Sequence, residues 1–244
     1  MARFFVSKDK ISEGKIYIDG ADAHHIARSL RMAEGDEAYV CDGEGGEYRT
    51  TLIRIRDEEC VAEICEQIDS GAEPPVHITL CMAYPKGDKL ETVIQKAVEL
   101  GACRIIPFES TRCIKRPKAD KAEKQTARLY RIAEEAAKQC GRARIPEVTQ
   151  PMSYKQMLSE VGGCSLSLFC YENEDGRSIK DALTAADKLN SIAVIVGCEG
   201  GFSPDEVEAA EAAGCTVVSL GNRILRCETA PSYALSAISY QLEL

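Results

Sequence analysis

The sequence predicts an α/β fold preceded by a small, barrel-like β domain. Three observations carry that prediction. Residues 1–70 break into short alternating apolar runs separated by turn residues. Residues 76–244 alternate apolar strands with helical stretches, the pattern of a mostly parallel sheet covered by helices on both faces. Between them, Asp69 to Pro75 gathers glycine and two prolines into the best linker candidate. The expected division is therefore 1–70, a linker at 71–75, and 76–244.

In the first segment Lys15 to Ile18 alternates, and Ala38 to Cys41 runs into the turn signal Asp42-Gly43-Glu44-Gly45-Gly46. Tyr48 to Ile55 and Val61 to Ile64 are further strands. Asp22 to Met32 reads as a helix, with Ile26 and Leu30 on one side. After the linker, Val76 to Met82 is an apolar strand. Asp88 with Glu91 is a variant capping box opening a helix that places Leu90, Val93, Ile94, Ala97 and Val98 on one face, and Gly101 stops it. Arg104 to Phe108 is a strand, and Asp120 to Gln139 a long helix closed by Gly141. Ser165 to Cys170 and Ser191 to Val196 are strands. Ser203-Pro204-Asp205-Glu206 is a strong helix start that Gly214 ends. Thr216 to Leu220 is the last strand and Thr229 to Leu242 the last helix.

The 244 residues are 45% hydrophobic and 28% charged, which excludes wholesale disorder. No apolar run reaches the roughly 18 residues that span a bilayer. The amino-terminal patch Phe4 to Val6 is too short for a signal peptide, so the expected location is the cytoplasm. Twelve cysteines without a Cys-x-x-Cys pair read as small buried thiols in a reducing compartment, and no metal site is expected. The net charge is −9, but residues 71–150 carry a basic excess, densest from Arg104 to Arg144. That stretch is either a local phosphate-binding surface or a solvated helix face.

Two glycine-containing turns follow apolar strands near the carboxyl terminus: Gly197-Cys198-Glu199-Gly200-Gly201-Phe202, and Leu220-Gly221-Asn222-Arg223-Ile224-Leu225-Arg226. Ligands of open α/β sheets bind outside the carboxyl ends of strands, where glycine lets them approach the backbone. The two turns are either one ligand socket or a pair of tight turns. Neither matches G-x-G-x-x-G or the P-loop. No Gly-x-Ser-x-Gly elbow occurs, and His24, His25 and His77 suggest no hydrolytic triad.

These residues resemble the signature loops of the RsmE family, ribosomal RNA small-subunit methyltransferases of the SPOUT superfamily. The resemblance runs through Gly197 to Ser203 and Leu220 to Ala230. It continues in Lys86 to Glu91, Gln95 to Gly101, Glu134 to Arg142, and His24 to Met32 with Gly35-Asp36. It covers nearly the whole chain. Two departures lie in the turns: Cys198 and Asn222 stand where the family usually has proline.

The resemblance implies a SPOUT-type sheet with a carboxyl-terminal trefoil knot, a PUA-like amino-terminal barrel that grips RNA, and a homodimer. It implies S-adenosylmethionine as cofactor, and methylation of N3 of one uridine in small-subunit ribosomal RNA, free or in the assembled subunit. Gly197, Glu199, Gly200, Ser219, Leu220, Gly221, Ile224 and Leu225 would line the cofactor site. Glu199 is the carboxylate expected near the sulfonium, or else caps the Ser203 helix or bonds to a loop N–H. Arg226 is expected to stabilise the uracil anion or an RNA phosphate, or else pairs with Glu228. Arg3, Arg28, Arg31, Lys86, Arg112, Lys115, Arg116 and Arg142 are the phosphate candidates. Cys198 is read as a structural thiol. The rival readings are a SPOUT enzyme acting on transfer RNA or a ribose 2′-hydroxyl, and a non-catalytic RNA-binding protein on the same scaffold.

Overall fold

The computed structural model describes residues 1–69, 71–114, 122–186 and 188–243. Its contacts separate two units, Met1–Glu73 with Ala137–Ile145 and Pro74–Ala136 with Pro146–Leu244.

The first unit is a six-stranded sheet. Its strands are β1 (Arg3–Phe5), β2 (Ile11–Ser12), β3 (Lys15–Asp19), β4 (Glu37–Cys41), β5 (Glu47–Arg54) and β6 (Glu59–Ile68), in the order β1-β4-β5-β6-β3-β2. Only β1 and β4 pair in parallel. Alternation decides the faces: Ile16 and Ile18 of β3 are buried with Phe4, Val40, Leu52 and Ile26, while Lys15 and Asp19 face out. Helix α1 (Gly20–His24) continues as a π-helical turn, His25–Ser29. The expected helix to Met32 thus widens early and ends early. Leu30 N–H reaches back five residues to His25 O, Ile26 stays in the core, and Leu30 turns outward. Arg31 closes the turn in the left-handed region, with φ 52°.

The linker residue Glu73 is not a free tether. Its carboxylate accepts from Arg142 Nη2 at 2.7 Å and from the N–H groups of Ala143 and Arg144.

The second unit contains β7 (His77–Ala83), α2 (Lys89–Glu99), β8 (Ala102–Glu109) and α3 (Ala122–Cys140), of which Ala137–Cys140 belong to the first unit. It continues through β9 (Glu147–Val148), β10 (Met152–Ser153), α4 (Tyr154–Val161), β11 (Leu166–Cys170) and α5 (Ile179–Thr184). The chain finishes with β12 (Ser191–Val196), α6 (Pro204–Ala212), β13 (Thr216–Val218) and α7 (Thr229–Leu242). The strands run in the order β10-β8-β7-β12-β11-β13, with β9 beside β8, and every pairing is parallel. This is the parallel α/β sheet that strand–helix alternation predicts. β7 and β12 lie side by side at its centre, and both are almost wholly buried apolar runs. From β7 the chain passes to β8 on one side, while β11 and β13 lie beyond β12 on the other. The crevice outside the carboxyl ends of β7 and β12 is therefore a topological switch point.

Gly101 and Gly214 have φ of 87° and 85°, as helix-stopping glycines do. Ser203 and Glu206 complete their capping box. Asp88 makes no side-chain cap; its carbonyl oxygen accepts the Glu91 N–H instead. Helices α4 and α5, absent from the strand–helix reading, each start on a full capping box, Ser153 with Gln156 and Ser178 with Asp181. Asp120, expected to open α3, lies outside the described residues. The twelve cysteines are free, and eight of them are buried.

Candidate cofactor and catalytic site

The turns that carry the candidate residues all leave the carboxyl ends of strands of the second unit. The turn after β12 is built on an aromatic floor. Phe202 is fully buried, with its ring 4.2 Å from Phe169 of β11 and stacked on Phe108 of β8 at 6.4 Å. Above it, Gly201 N–H closes on Cys198 O at 2.9 Å. Gly201 has φ 62°, and a Cβ there would collide with the Glu172 carboxylate. A Cβ on Gly200 would stand 2.9 Å from Arg112 Cβ, and one on Gly197 3.1 Å from Gly201 Cα. Each glycine is thus needed by close approach, not only by backbone freedom.

The first turn and the start of α7, just beyond the second turn, are tied together at the start of α2. Lys89 Nζ lies 3.1 Å from Glu199 Oε1 and 3.2 Å from Glu228 Oε2, and it reaches Cys227 Sγ at 3.8 Å. Lys86 N–H donates to the Glu199 carboxylate at 3.1 Å. Burial opposes the charge on Glu199, but its own N–H, the Lys89 ammonium and the Lys86 N–H outweigh it and hold the carboxyl below its ordinary range. The N–H of Glu228 is the main reason that its carboxyl is also depressed. Burial, with the neighbouring Glu228, pushes the Cys227 thiol up to about 12.

Other turns leave the same edge of the parallel sheet. After β8, Thr111 N–H donates to the buried Glu206 carboxylate at 2.7 Å, and Arg112 Nη1 donates to Gly200 O at 2.8 Å. After β11, Glu172 leans on Gly201. After β13, Ser219 N–H donates to Arg177 O at 2.8 Å, and Gly221, with φ 97°, donates its N–H to Ser219 Oγ. Ile224 is 89% exposed and Leu225 half-buried.

Of the sequence-predicted residues, the structure gathers Gly197, Glu199, Gly200, Lys86 and Arg112 at the first turn. Ser219, Leu220, Gly221, Ile224, Leu225 and Arg226 lie on the second. Glu206, not Glu199, caps the Ser203 helix. Glu228 pairs with Lys89, and Arg226 is exposed with no ion pair among the described residues. In the first unit, two phosphate candidates are committed elsewhere. Arg3 holds the buried Glu47 carboxylate at 2.5 Å, and Arg142, 3% exposed, holds Glu73. Arg28 is exposed but paired with Asp57, its Nε 2.7 Å from Oδ1, whereas Arg31 is exposed. Lys115 and Arg116 lie outside the described residues. Sequence reasoning passed over Lys89, Glu228 and Glu172. The first two sit inside quoted motifs, but only the fold brings them together.

The arrangement fits a ligand held through backbone groups better than a polyphosphate. The turns offer backbone groups around space that glycine leaves open, and the one lysine at their junction is already neutralised by two carboxylates.

Residues 72–239 match the family described as RNA methyltransferase domain, and residues 18–65 match RNA methyltransferase PUA domain. The chain is 36% identical over 251 residues to ribosomal RNA small subunit methyltransferase E of Bacillus subtilis, covering 100% of this chain and 98% of that protein. It is 34% identical to the protein of the same name from Synechocystis, covering 99% of this chain and 78% of that one. Among solved structures, ribosomal RNA small subunit methyltransferase E of Neisseria gonorrhoeae bound to S-adenosyl methionine superposes with a TM-score of 0.88 at 30% identity, covering 99% and 98% of the two chains. A parallel α/β unit with its turns joined at a strand-order switch point, a PUA-type amino-terminal unit and full-length relatives agree: the chain belongs to the ribosomal RNA small subunit methyltransferase E family of RNA methyltransferases.

Proposed function

We propose that this chain methylates N3 of one uridine in small-subunit ribosomal RNA, with S-adenosylmethionine held by the turns after β12 and β13. The observation that supports the reading is the Lys89 junction, where Glu199 of the first turn and Glu228, two residues beyond the second, share one ammonium. When bound, S-adenosylmethionine supplies an electrophilic methyl group on a sulfonium. Gly197, Gly200, Leu220 and Gly221 present backbone groups to the nucleoside, with Leu225 and Ile224 as apolar contacts.

The chain's remaining task is to prepare uridine N3, which is a poor nucleophile while protonated. Glu199 and Glu228 are both held by Lys89. Glu172 stands against Gly201 with no cation paired to it among the described residues, so it is the carboxylate placed to take the N3 proton. Arg226, exposed and without an ion pair among the described residues, offers the cation for the uracil oxygen. N3 lies on the pairing edge, so the target base must be unpaired or drawn from its helix.

Arg31, Lys86 and Arg112 keep exposed side chains for RNA phosphates. Two chains would pair through the outer stripe of α7, where Tyr233 and Tyr240 are 41% and 73% exposed. No described helix is long and apolar enough to cross a membrane. A ribosomal substrate puts the work in the cytoplasm.

The deciding experiment is mass mapping of small-subunit RNA, naked and assembled, after incubation with the protein and labelled S-adenosylmethionine. A single base-methylated uridine, blocked on its pairing edge, is the expected product. A methylated ribose or transfer RNA would move the chain to another substrate, and cofactor binding without transfer would make it a binding protein.

A further inference from the structure

Two cysteines meet at the foot of the first glycine turn. Cys113 belongs to the turn after β8 and Cys198 to the turn after β12. Ser110 Oγ lies 3.3 Å from Cys113 Sγ and 3.9 Å from Cys198 Sγ, so one hydroxyl touches both sulfurs. Ser110 N–H also donates to Cys113 Sγ, at 3.4 Å. Both thiols are buried, yet each is a single residue beneath the surface. Arg112 and Ile114 flank the first and Glu199 the second, and all three are exposed. We propose that Cys113 and Cys198 form an oxidisable dithiol, a modification site whose substrate is a hydroperoxide and whose product is an intramolecular disulfide at this turn.

The surroundings divide the labour between the two sulfurs. The Cys113 side chain is the largest influence on Cys198. With Gly200 N–H and the Ser110 hydroxyl it outweighs burial and draws the Cys198 thiol down to about 6. The neighbouring Cys198, with burial, pushes Cys113 up, so it keeps its proton. Burial instead pushes Cys81, Cys170 and Cys215 up. The Cys198 thiolate attacks one peroxide oxygen and the O–O bond breaks. The sulfur becomes a sulfenic acid, and the departing hydroxide takes a proton from solvent. Cys113 sulfur then attacks Cys198 sulfur and the S–O bond breaks. The leaving hydroxide departs as water with the Cys113 proton. Two electrons from the thiols have reduced one hydrogen peroxide to two waters.

A cross-link here acts on the turn itself. Cys198 O receives Gly201 N–H, and the Gly200 N–H favours the Cys198 thiolate, an acceptor that oxidation to a disulfide weakens. The consequence for the cofactor rests on the proposed function, whereas the disulfide does not. The oxidised protein should bind S-adenosylmethionine roughly tenfold more weakly, the scale of losing one or two turn hydrogen bonds.

The test treats the reduced, full-length protein with hydrogen peroxide, blocks remaining thiols with N-ethylmaleimide and maps the digest by mass spectrometry. A 113–198 linked peptide that dithiothreitol removes is expected, formed at a rate that rises through about pH 6. In Cys113→Ser the bridge should vanish and Cys198 should advance to the sulfinic acid. In Cys198→Ala, Cys113 should be recovered alkylated. Recovery of both thiols alkylated from folded, peroxide-treated protein would overturn the proposal, as would a Cys198 linked to another cysteine. Calorimetry with S-adenosylmethionine before and after oxidation reads the cofactor effect. Absence of binding by the reduced protein would count against the proposed function alone. A bridge with unchanged affinity would overturn its link to the cofactor.

Discussion

Lys89 Nζ lies 3.1 Å from Glu199 Oε1, and the same ammonium holds Glu228 on the far side. One side chain at the start of α2 therefore links the turn after β12 to the segment that follows β13. Lys89→Met removes the charge and keeps most of the stem. It leaves two carboxylates facing each other across the junction. The affinity for S-adenosylmethionine should fall about fivefold, the upper end for half-exposed ion pairs acting as a network. Calorimetry on wild type and variant measures it, and Lys89→Arg should recover most of the loss. Equal affinities would mean that the junction does not shape the site.

The same junction has a defined pH window. The Glu199 and Glu228 carboxyls are held below the ordinary 4.5, so their contribution is present above that value and is lost as pH falls through the depressed folded values. Lys89 is raised above 10.5, chiefly by its hydrogen bond to Glu199, so its contribution is present below 10.5 and lost as pH rises through the raised value. The difference in Tm between wild type and Lys89→Met should stay constant between those limits and shrink on either side. A difference that changes around neutral pH would contradict this assignment.

Much of the scaffold was legible because it follows from periodicity. β12 runs over the same residues, Ser191 to Val196, that its apolar run delimits, and α7 over Thr229 to Leu242. Local chemistry also read true where one residue type has few alternatives, as with Ser203 and Glu206. What failed was chemistry that depends on distant partners. Asp88 looks like a cap but makes no side-chain bond, and the carboxylate that does bind the backbone just before α2, Glu199 on the Lys86 N–H, lies 113 residues away in sequence. Arg3 and Arg142 look like phosphate ligands because a sequence shows charge and not what neutralises it. Lys89 looked like an ordinary helix residue for the same reason. The π-helical turn at His25 to Ser29 is hidden because Ile26 and Leu30 have ordinary α-helical spacing, whereas in the widened turn Leu30 faces out.

Glu172→Gln and Arg226→Ala test the assignment of chemistry against that of binding. Glutamine keeps the shape of Glu172 but cannot accept the N3 proton. The turnover number should fall roughly a hundredfold with little change in cofactor affinity, the usual scale for losing a general base. Arg226→Ala should lower turnover by a similar factor through lost charge stabilisation. Single-turnover methylation with saturating cofactor separates these effects from binding. Wild-type rates in either variant would remove that residue from the mechanism.

Gly201→Ala places a methyl group against the Glu172 carboxylate at a φ of 62°, which L residues rarely adopt. The cost should be about 1–2 kcal/mol of stability, read from urea unfolding, with loss of cofactor binding at the first turn. Gly221→Ala has an equally unfavourable φ of 97° but nothing within 4 Å of the new carbon. It should cost less stability while still weakening the cofactor. Similar stability losses in both would show that backbone conformation, rather than the close approach at Gly201, sets the penalty.

Arg3 and Arg31 belong to the same unit and carry the same charge, yet they should fail differently. Arg3 lies against Glu47, a carboxylate 1% exposed, and its guanidinium also covers the Tyr39 ring. Arg3→Ala strands a buried negative charge, so stability should drop by about 3 kcal/mol or more. Any loss of RNA binding would then follow unfolding of the unit. Arg31 is exposed and closes the π-helical turn, so Arg31→Ala should leave stability within about 0.5 kcal/mol of wild type. It should instead lower the slope of log affinity against log salt by roughly one, as expected when one phosphate contact is lost. Urea unfolding and RNA titrations at several salt concentrations, run on both variants, give four numbers that these two roles fix in opposite directions. A salt slope that Arg31→Ala leaves unchanged would exclude it as a phosphate contact, however well the protein folds.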